Sequence, residues 1–146
     1  MKNLLTLLLI SFVISLHAES LKDIKFDSIE VSEVTSIYDG DTFRVNIEGY
    51  PRIIGYRVPI RVNGIDTPEM RAKCQQEKEL ARKAKQLTAS MLHGAKKIVL
   101  KNVQRGKYFR IVADVYIDGD SLGEELIKRG FAVSYDGGTK SKDWCK

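Results

Sequence analysis

Short segments with the residue pattern of β-strands constrain the fold of this chain more than any other feature. The clearest runs from Phe43 to Ile47, where apolar residues at every second position predict a half-buried strand. Pro59 lies inside another such segment and predicts an edge or a bulge there, because proline lacks an N–H group. In all, the strand-like segments are residues 29–37, 43–47, 53–62, 98–100 and 111–117.

A long helix is predicted between the third and fourth of these strands. Its apolar residues are spaced by four, three and four positions, which places them on one face of a helix. Gly94 is the predicted end of this helix, since glycine is common just after a helix C-terminus. The residues of the apolar face are Leu80, Ala84, Leu87 and Met91.

A second helix is predicted after the fifth strand. Ser121 and Glu124 form the S-x-x-E pattern of a capping box, and Gly130 is placed to end the helix. The predicted order is three strands, a helix, two strands and a second helix. Periodicity alone defines only a β-rich α+β fold. Among α+β folds, five strands with a helix inserted after the third favour an OB-fold barrel.

The N-terminus has the composition of a secretory signal peptide. Lys2 precedes an apolar run from Leu4 to Leu16, which is shorter than the roughly 20 residues that span a membrane. We expect cleavage after Ala18, so that residues 1–18 are the signal peptide and residues 19–146 form one domain, secreted or periplasmic. The alternative is an uncleaved N-terminal anchor. After cleavage we expect no stable membrane association and a monomer.

Charge and cysteine content narrow the possible partners and sites. The chain carries a formal net charge of +5, which suits a polyanionic partner without establishing one. Two cysteines, Cys74 and Cys145, are too few and too far apart for a zinc site. In a secreted chain an even number of cysteines favours a disulfide, here Cys74–Cys145, and the alternative is two free buried thiols.

Acidic residues and arginines concentrate in three short blocks. Residues 38–42 are Tyr-Asp-Gly-Asp-Thr, residues 61–69 are Arg-Val-Asn-Gly-Ile-Asp-Thr-Pro-Glu, and residues 107–110 are Lys-Tyr-Phe-Arg. Carboxylates on turns are the ligands that a hard cation such as Ca²⁺ prefers, and guanidinium groups suit a phosphodiester. The first block alone is typical of a plain hairpin turn. Together the blocks indicate metal-assisted cleavage of nucleic acid.

In their order and spacing, the three blocks resemble the signature of the staphylococcal nuclease (thermonuclease) family. The resemblance extends from about Val34 to Tyr135 and includes an intact Gly-Ile-Asp-Thr-Pro-Glu at residues 64–69. It implies an OB-fold that binds a single Ca²⁺ ion and takes DNA and RNA as substrates. It also implies hydrolysis by water at phosphorus, leaving 3′-phosphates.

The resemblance assigns the metal ligands and the base. Asp41 and Asp66 would bind Ca²⁺ through their carboxylates and Thr67 through its backbone carbonyl. Asp39 is close enough in sequence to shape the site through water. Glu69 would lie beside the attacking water as general base, and a softer interpretation gives it a positioning role only.

The resemblance also assigns the residues that contact the substrate. Arg61 and Arg110 would clamp the scissile phosphate, because fixed guanidinium groups stabilise the charge on its oxygens. Lys107 and Tyr108 match positions that contact a terminal phosphate. Tyr135 matches an aromatic residue on which a base stacks, although structural roles for both tyrosines stay open.

Two departures from the family pattern are visible in the sequence. Phe109 stands where the family has a glycine, and a bulky residue lacks the freedom of glycine to adopt positive φ, which predicts an altered presentation of Arg110. Few residues follow Gly130, so the family's last helix has little room. We expect Trp144-Cys145 to replace it as a tethered tail.

Two other functions are compatible with an OB-fold. One is a non-catalytic module that binds nucleic acid or protein, which would not need the complete set of acidic residues and arginines. The other is a Ca²⁺-stabilised structural domain, which would need Asp41 and Asp66 but has no use for Arg61 or Arg110.

Overall fold

The computed structural model describes residues 28–146, and the predicted signal peptide at residues 1–18 lies outside them. Nine strands and three α-helices alternate along this part of the chain, with one 3-10 turn at Lys107–Phe109. In chain order they are β1 (Ile29–Glu30), β2 (Glu33–Ile37), β3 (Thr42–Asn46), α1 (Arg52–Gly55), β4 (Val58–Val62), β5 (Ile65–Asp66), α2 (Gln75–Gly94), β6 (Ile98–Arg105), β7 (Ile111–Ile117), β8 (Asp120–Ser121), α3 (Leu122–Lys128) and β9 (Val133–Ser134).

The main sheet has the strand order β1-β6-β7-β4-β3-β2, with β8 paired to β7. β1 and β2 are two halves of the first predicted strand and form the two ends of this order. Between them, Val31 N donates to Ile98 O and Ser32 N donates to Asn46 O, both at 3.0 Å. One run of chain therefore borders both edges of the sheet, which curls around the core. The predicted α+β order, with a helix after the third strand and another after the fifth, is confirmed.

The core fills the inside of the curled sheet. β4 and β7 pair in parallel, with Ile60 opposite Ile111, and the remaining main-sheet pairs are antiparallel. Alternate residues along β3, β4 and β7 are buried, as the period of two requires. The largest fully buried apolar side chains are Phe43, Ile60, Leu100, Leu122 and Leu126.

Two details of the third predicted strand are wrong. Ile53 and Ile54 form α1 instead, because Pro51 starts a turn in which its carbonyl accepts hydrogen bonds from Ile54 N and Gly55 N, both at 2.9 Å. Both isoleucines are exposed, so the apolar pair does not mark a core strand. Pro59 lies in an interior strand, not at an edge, and is tolerated because the pairing of β4 with β7 begins only at Ile60.

The two predicted helices are present with their predicted ends. α2 ends at Gly94, and α3 is capped by Ser121 Oγ, which accepts a hydrogen bond from Glu124 N. Gly130 follows α3 with φ +73°, the left-handed conformation that glycine adopts most easily. The most deeply buried face of α2 differs from the apolar stripe in the sequence and consists of Ala81, Ala84, Thr88 and Leu92.

Among residues 28–146, the structure contains no helix that is both long enough and apolar enough to cross a membrane.

Candidate functional site

The turn Asp39–Asp41, which follows β2, is fixed by close packing against α2. Thr88 on α2 donates a hydrogen bond from Oγ1 to Gly40 O at 2.7 Å, and both residues are buried. A Cβ atom on Gly40 would lie 2.8 Å from Ala84 Cβ and 3.0 Å from Thr67 Cγ2, so only glycine fits there. Small residues on α2 thus let the helix hold the acidic turn in place.

Asp41 is the centre of the site and is 1 % exposed. Its Oδ1 forms an ion pair with Arg61 Nη1 and accepts a hydrogen bond from Thr42 Oγ1 at 2.9 Å. Its Oδ2 accepts hydrogen bonds from Thr67 N at 3.1 Å and Thr67 Oγ1 at 2.9 Å. The structure therefore brings together Asp41, Arg61 and Thr67, residues that are up to 26 positions apart in sequence.

Asp66 lies beside this group on β5 and is 2 % exposed. Arg61 Nη2 is 3.7 Å from Asp66 Oδ1, and Nη2 donates a hydrogen bond to Ile65 O at 3.1 Å. Lys140 Nζ is 2.8 Å from the same Oδ1, but the contact lacks hydrogen-bond geometry, so this buried oxygen has an ion-pair partner and no donor. A buried acceptor left in this state is an expected place for a cation.

Asp39 is buried next to Asp41, and its protonation reflects that position. Burial is the main cause that raises the pKa of Asp39 to about 7, and the negative charge of Asp41 adds to it. A hydrogen bond that Asp39 Oδ1 accepts from Asp41 N at 3.2 Å acts in the opposite direction. The turn therefore concentrates more negative charge than the protein alone readily accommodates.

The residues of this site could hold a metal ion with two carboxylates, those of Asp41 and Asp66. Their donor atoms are hard oxygens, as Ca²⁺ and Mg²⁺ prefer. Within residues 28–146, one group of three acidic, cysteine or histidine side chains is close enough to share an ion, namely Cys74, Glu77 and Cys145. Its two sulfurs form a disulfide and cannot act as thiolate ligands. The fit for a metal ion therefore depends on Asp41 and Asp66, with the Asp66 oxygen that lacks a donor.

Glu69 is close to the same site but exposed. Its backbone N donates to Glu77 Oε1 at 3.0 Å, and its Oε1 accepts a hydrogen bond from Lys140 Nζ at 2.5 Å. Lys140 therefore lies between Asp66 and Glu69. Burial disfavours the charge on Lys140, but the two carboxylates outweigh burial and raise the pKa of Lys140 above its ordinary value.

The two arginines project from the same face of the sheet. Arg61 lies between buried Ile60 and Val62 and points outward, and its partner across the parallel pair is Val112. Arg110 precedes Val112 by two residues in extended backbone, with φ −88° and ψ 142°. Its Nε is buried and has no hydrogen-bond partner within the described chain. A buried donor without an acceptor, on the face that carries Arg61, suits an anion.

Lys107 and Tyr108 lie on an exposed turn between β6 and β7, and within residues 28–146 neither side chain forms a hydrogen bond or ion pair with Asp41 or Asp66. Gly106 N donates to Arg110 O at 2.7 Å and closes this turn. The expectation for Phe109 needs correction, because φ is +58° at Tyr108 and +61° at Phe109. Both bulky residues adopt the left-handed conformation that is usual for glycine, which costs about 1–2 kcal/mol each.

Tyr135 lies directly after β9, which pairs with β5 and so with Asp66. Its backbone N donates to Gly64 O at 2.9 Å and its hydroxyl donates to Gly138 O at 2.7 Å. Tyr135 lines an open cleft of about 550 Å³ whose other lining residues come mostly from the tail that follows, including Asp136 and Thr139. Tyr135 therefore follows the strand that pairs with Asp66, and its stacking role stays a prediction.

The predicted disulfide is present and fixes the end of the chain. The Cα atoms of Cys74 and Cys145 are 5.9 Å apart, and the bridge joins the N-cap of α2 to the tail. Trp144 is 7 % exposed beside it. The chain after α3 is thus fixed at its far end by the bridge, as the tethered-tail prediction requires.

Two contributors to the site were missed in the sequence analysis. Lys140 gives no local signal, because it is one of 24 lysines and arginines and reaches Glu69 across 71 positions. Thr88 lies on the buried face of α2, where a hydroxyl needs a partner, and that requirement could have indicated its bond to the acidic turn.

Comparison with known proteins agrees with this geometry. Residues 59–144 match the family model described as "Staphylococcal nuclease homologue". The chain is 30% identical over 134 residues to "Probable endonuclease lcl3" of Aspergillus fumigatus, covering 73% of this chain and 45% of that protein. It is 30% identical over 128 residues to "Probable endonuclease C19F8.04c" of Schizosaccharomyces pombe, covering 71% and 55%.

A bacterial relative is also similar. The chain is 35% identical over 103 residues to "SPbeta prophage-derived endonuclease YokF" of Bacillus subtilis, covering 66% of this chain and 32% of that protein. The chain thus spans between about a third and a little over half of the length of these relatives. The family model covers more than half of the chain, which therefore belongs to the staphylococcal nuclease homologues.

Proposed function

We propose that this protein is a calcium-dependent nuclease that hydrolyses phosphodiester bonds in DNA and RNA and leaves 3′-phosphates. The observation that carries the proposal is the convergence of Asp41, Asp66 and Arg61 at one end of the sheet, with Glu69 adjacent and Arg110 on the same face. The names of the relatives support it, since two are named probable endonucleases and one a prophage-derived endonuclease.

In this proposal the side chains have distinct roles. Asp41, Asp66 and the carbonyl of Thr67 would hold the metal ion, which would supply Lewis-acid polarisation of a phosphate oxygen. Glu69 accepts a proton from the water that attacks phosphorus, or orients that water. The new P–O bond forms as the P–O5′ bond breaks. The 5′-oxygen takes a proton from solvent and leaves as a hydroxyl, and the phosphate stays on the 3′-oxygen.

The arginines act on the phosphate. Arg61 and Arg110 donate hydrogen bonds to its non-bridging oxygens, and this contact strengthens as charge accumulates there. In the structure Arg61 pairs with Asp41, so contact with a phosphate would require its guanidinium group to leave or share that partner. Lys107, Tyr108 and Tyr135 extend the contact surface toward neighbouring nucleotides.

A cleavage assay with a matched pair of variants tests the proposal. Purified protein is incubated with linear DNA, circular DNA and RNA, in Ca²⁺ or in chelator. We expect cleavage only with Ca²⁺, and a loss of about 10²–10⁴-fold in Glu69→Gln. Glu124→Gln, an exposed glutamate on α3, serves as control and should keep full activity.

A folded, disulfide-intact sample that cleaves nothing in Ca²⁺, Mg²⁺ or Mn²⁺ would contradict the nuclease proposal. Binding of single-stranded nucleic acid without cleavage would then favour the non-catalytic module. Retained Ca²⁺ affinity without any nucleic-acid binding would favour the structural calcium domain.

We also propose that the protein acts outside the cytoplasm, secreted or periplasmic, after cleavage behind Ala18. The disulfide supports this, since such bridges persist in oxidising compartments. N-terminal sequencing of the exported protein should begin at Glu19, and a mature protein that begins at Met1 would contradict the cleavage.

A further inference from the structure

Lys140 lies in a tail segment that is fixed on both sides. Before it, Tyr135 N is bonded to Gly64 O beside β5, and after it Cys145 is bridged to Cys74. Its ammonium group is 2.8 Å from Asp66 Oδ1 and 2.5 Å from Glu69 Oε1. A positive charge from the end of the chain thus contacts one proposed metal ligand and the proposed base.

The contact has an electrostatic cost for any incoming cation. Asp66 is 3 % exposed at its side chain and its Oδ1 has no donor other than this misaligned ammonium. Lys140 supplies positive charge to this oxygen, which is the charge a metal ion would otherwise supply. Two cations cannot occupy the same oxygen at close range without strong repulsion.

We propose that Lys140 is an internal counterion that competes with the metal ion for Asp66, and that the Cys74–Cys145 bridge keeps it in the site. This inference rests on the proposed metal site. Lys140 is a positioning residue: it sets the affinity for the metal ion and orients Glu69, and it does not touch the reacting atoms.

The tether explains why an exposed lysine can compete. The side chain of Lys140 is 44% exposed, and a free exposed ion pair is weak. Fixing the tail at Cys145 raises the effective concentration of the ammonium group at the carboxylates, because fewer conformations of the tail place it elsewhere. Removal of the Cys74–Cys145 bridge should therefore weaken the competition of Lys140 with the metal ion, as removal of the Lys140 charge should.

Calorimetric titration of Ca²⁺ into the purified protein tests the inference without relying on activity. Lys140→Met should bind Ca²⁺ about fivefold more tightly than the parent, the scale of an ion pair of this exposure. Lys140→Gln should behave alike, and Cys74→Ser/Cys145→Ser should shift in the same direction. Lys146→Met is the matched control, since Lys146 is in the same tail but pairs with Asp143.

The outcomes separate the inference from the proposed function. A gain of twofold or more in Lys140→Met, absent in Lys146→Met, supports the competition. If the parent binds Ca²⁺ and Lys140→Met binds it equally or more weakly, the inference is overturned and the metal site stands. If neither protein binds Ca²⁺, both the inference and the calcium site are overturned.

Discussion

Removal of the disulfide is expected to lower the thermal stability of this protein strongly. The bridge joins residues that are 71 positions apart, and the loop-entropy relation gives about 4 kcal/mol at 25 °C for a loop of that size. The unfolding entropy of residues 28–146, at about 2.1 cal/mol/K per residue, is about 0.25 kcal/mol/K. Division of the free energy by this entropy gives an expected decrease of about 16 °C in Tm. Engineered bridges often stabilise a protein by less than the loop-entropy relation gives.

Scanning calorimetry of Cys74→Ser/Cys145→Ser against the parent, both in chelator, measures this decrease without any contribution from bound metal. Serine keeps the ability to cap α2, which Cys74 does through a 3.4 Å contact from Glu77 N. Urea titration adds a second readout, because a more expanded unfolded chain should raise the m-value of the variant.

Trp144→Ala, with the bridge intact, separates the tether from the packing of the tail. Trp144 is 7 % exposed, and loss of a buried tryptophan costs about 3–5 kcal/mol if the tail packs in solution. A decrease in Tm of less than about 3 °C in the serine variant would refute the loop-entropy reasoning. If Trp144→Ala also leaves Tm unchanged, the tail does not cover the domain.

Three further changes have defined outcomes. Arg61→Met leaves the carboxylate of Asp41 buried without its ion pair, so we expect a loss of about 3 kcal/mol in chelator by urea titration, partly recovered by Ca²⁺; a loss that Ca²⁺ leaves unchanged would argue against a shared site. Asp39 has a folded pKa of about 7 against 3.8 unfolded, so the folded state binds more protons between these values and metal-free stability should fall as pH rises from about 4 to 7. Asp39→Asn should flatten that slope, and an unchanged slope would assign it to other groups. Phe109→Gly removes a phenylalanine whose backbone is in the left-handed conformation, and it should raise the free energy of unfolding by about 0.5–1 kcal/mol. The gain is net of the lost contact between the phenylalanine ring and Arg105, at 4.6 Å, and a net loss of stability would mean that this contact outweighs the backbone strain.

Local sequence patterns predicted the parts of the fold that depend only on residues close to one another in the sequence. The cap of α3 by Ser121 and the strand Ile111–Ile117, which is rich in β-branched residues, are of this kind. The helix at Ile53–Ile54 was missed because a short apolar run is ambiguous between strand and helix. A proline at position 51 was the available signal, since proline favours the first turn of a helix or the residue before it.

The candidate site also has some residues that the sequence predicted and others that it did not. The grouping of Asp41, Arg61 and Asp66 followed from a family motif, which carries long-range geometry that periodicity cannot supply. The pairing of β5 with β9 involves only two residues on each side, too few for a strand pattern. That pairing brings the tail to Asp66 and makes the contact of Lys140 possible, so the missed strand pair and the missed lysine have one cause.

The positive charges of the site pair with its carboxylates, and this pairing bears on how a metal ion and a nucleotide would affect each other's binding. Arg61 pairs with Asp41 and Lys140 pairs with Asp66 and Glu69, so a metal ion that takes the carboxylates must release both cations. Arg61, once released, would be available to the phosphate that it is proposed to bind. Metal and nucleotide should therefore bind with positive coupling, and linkage requires each to raise the affinity of the other by the same factor. Calorimetric Ca²⁺ titrations with and without a nuclease-resistant dinucleotide measure that factor, and equal affinities would show that Arg61 does not exchange Asp41 for the phosphate.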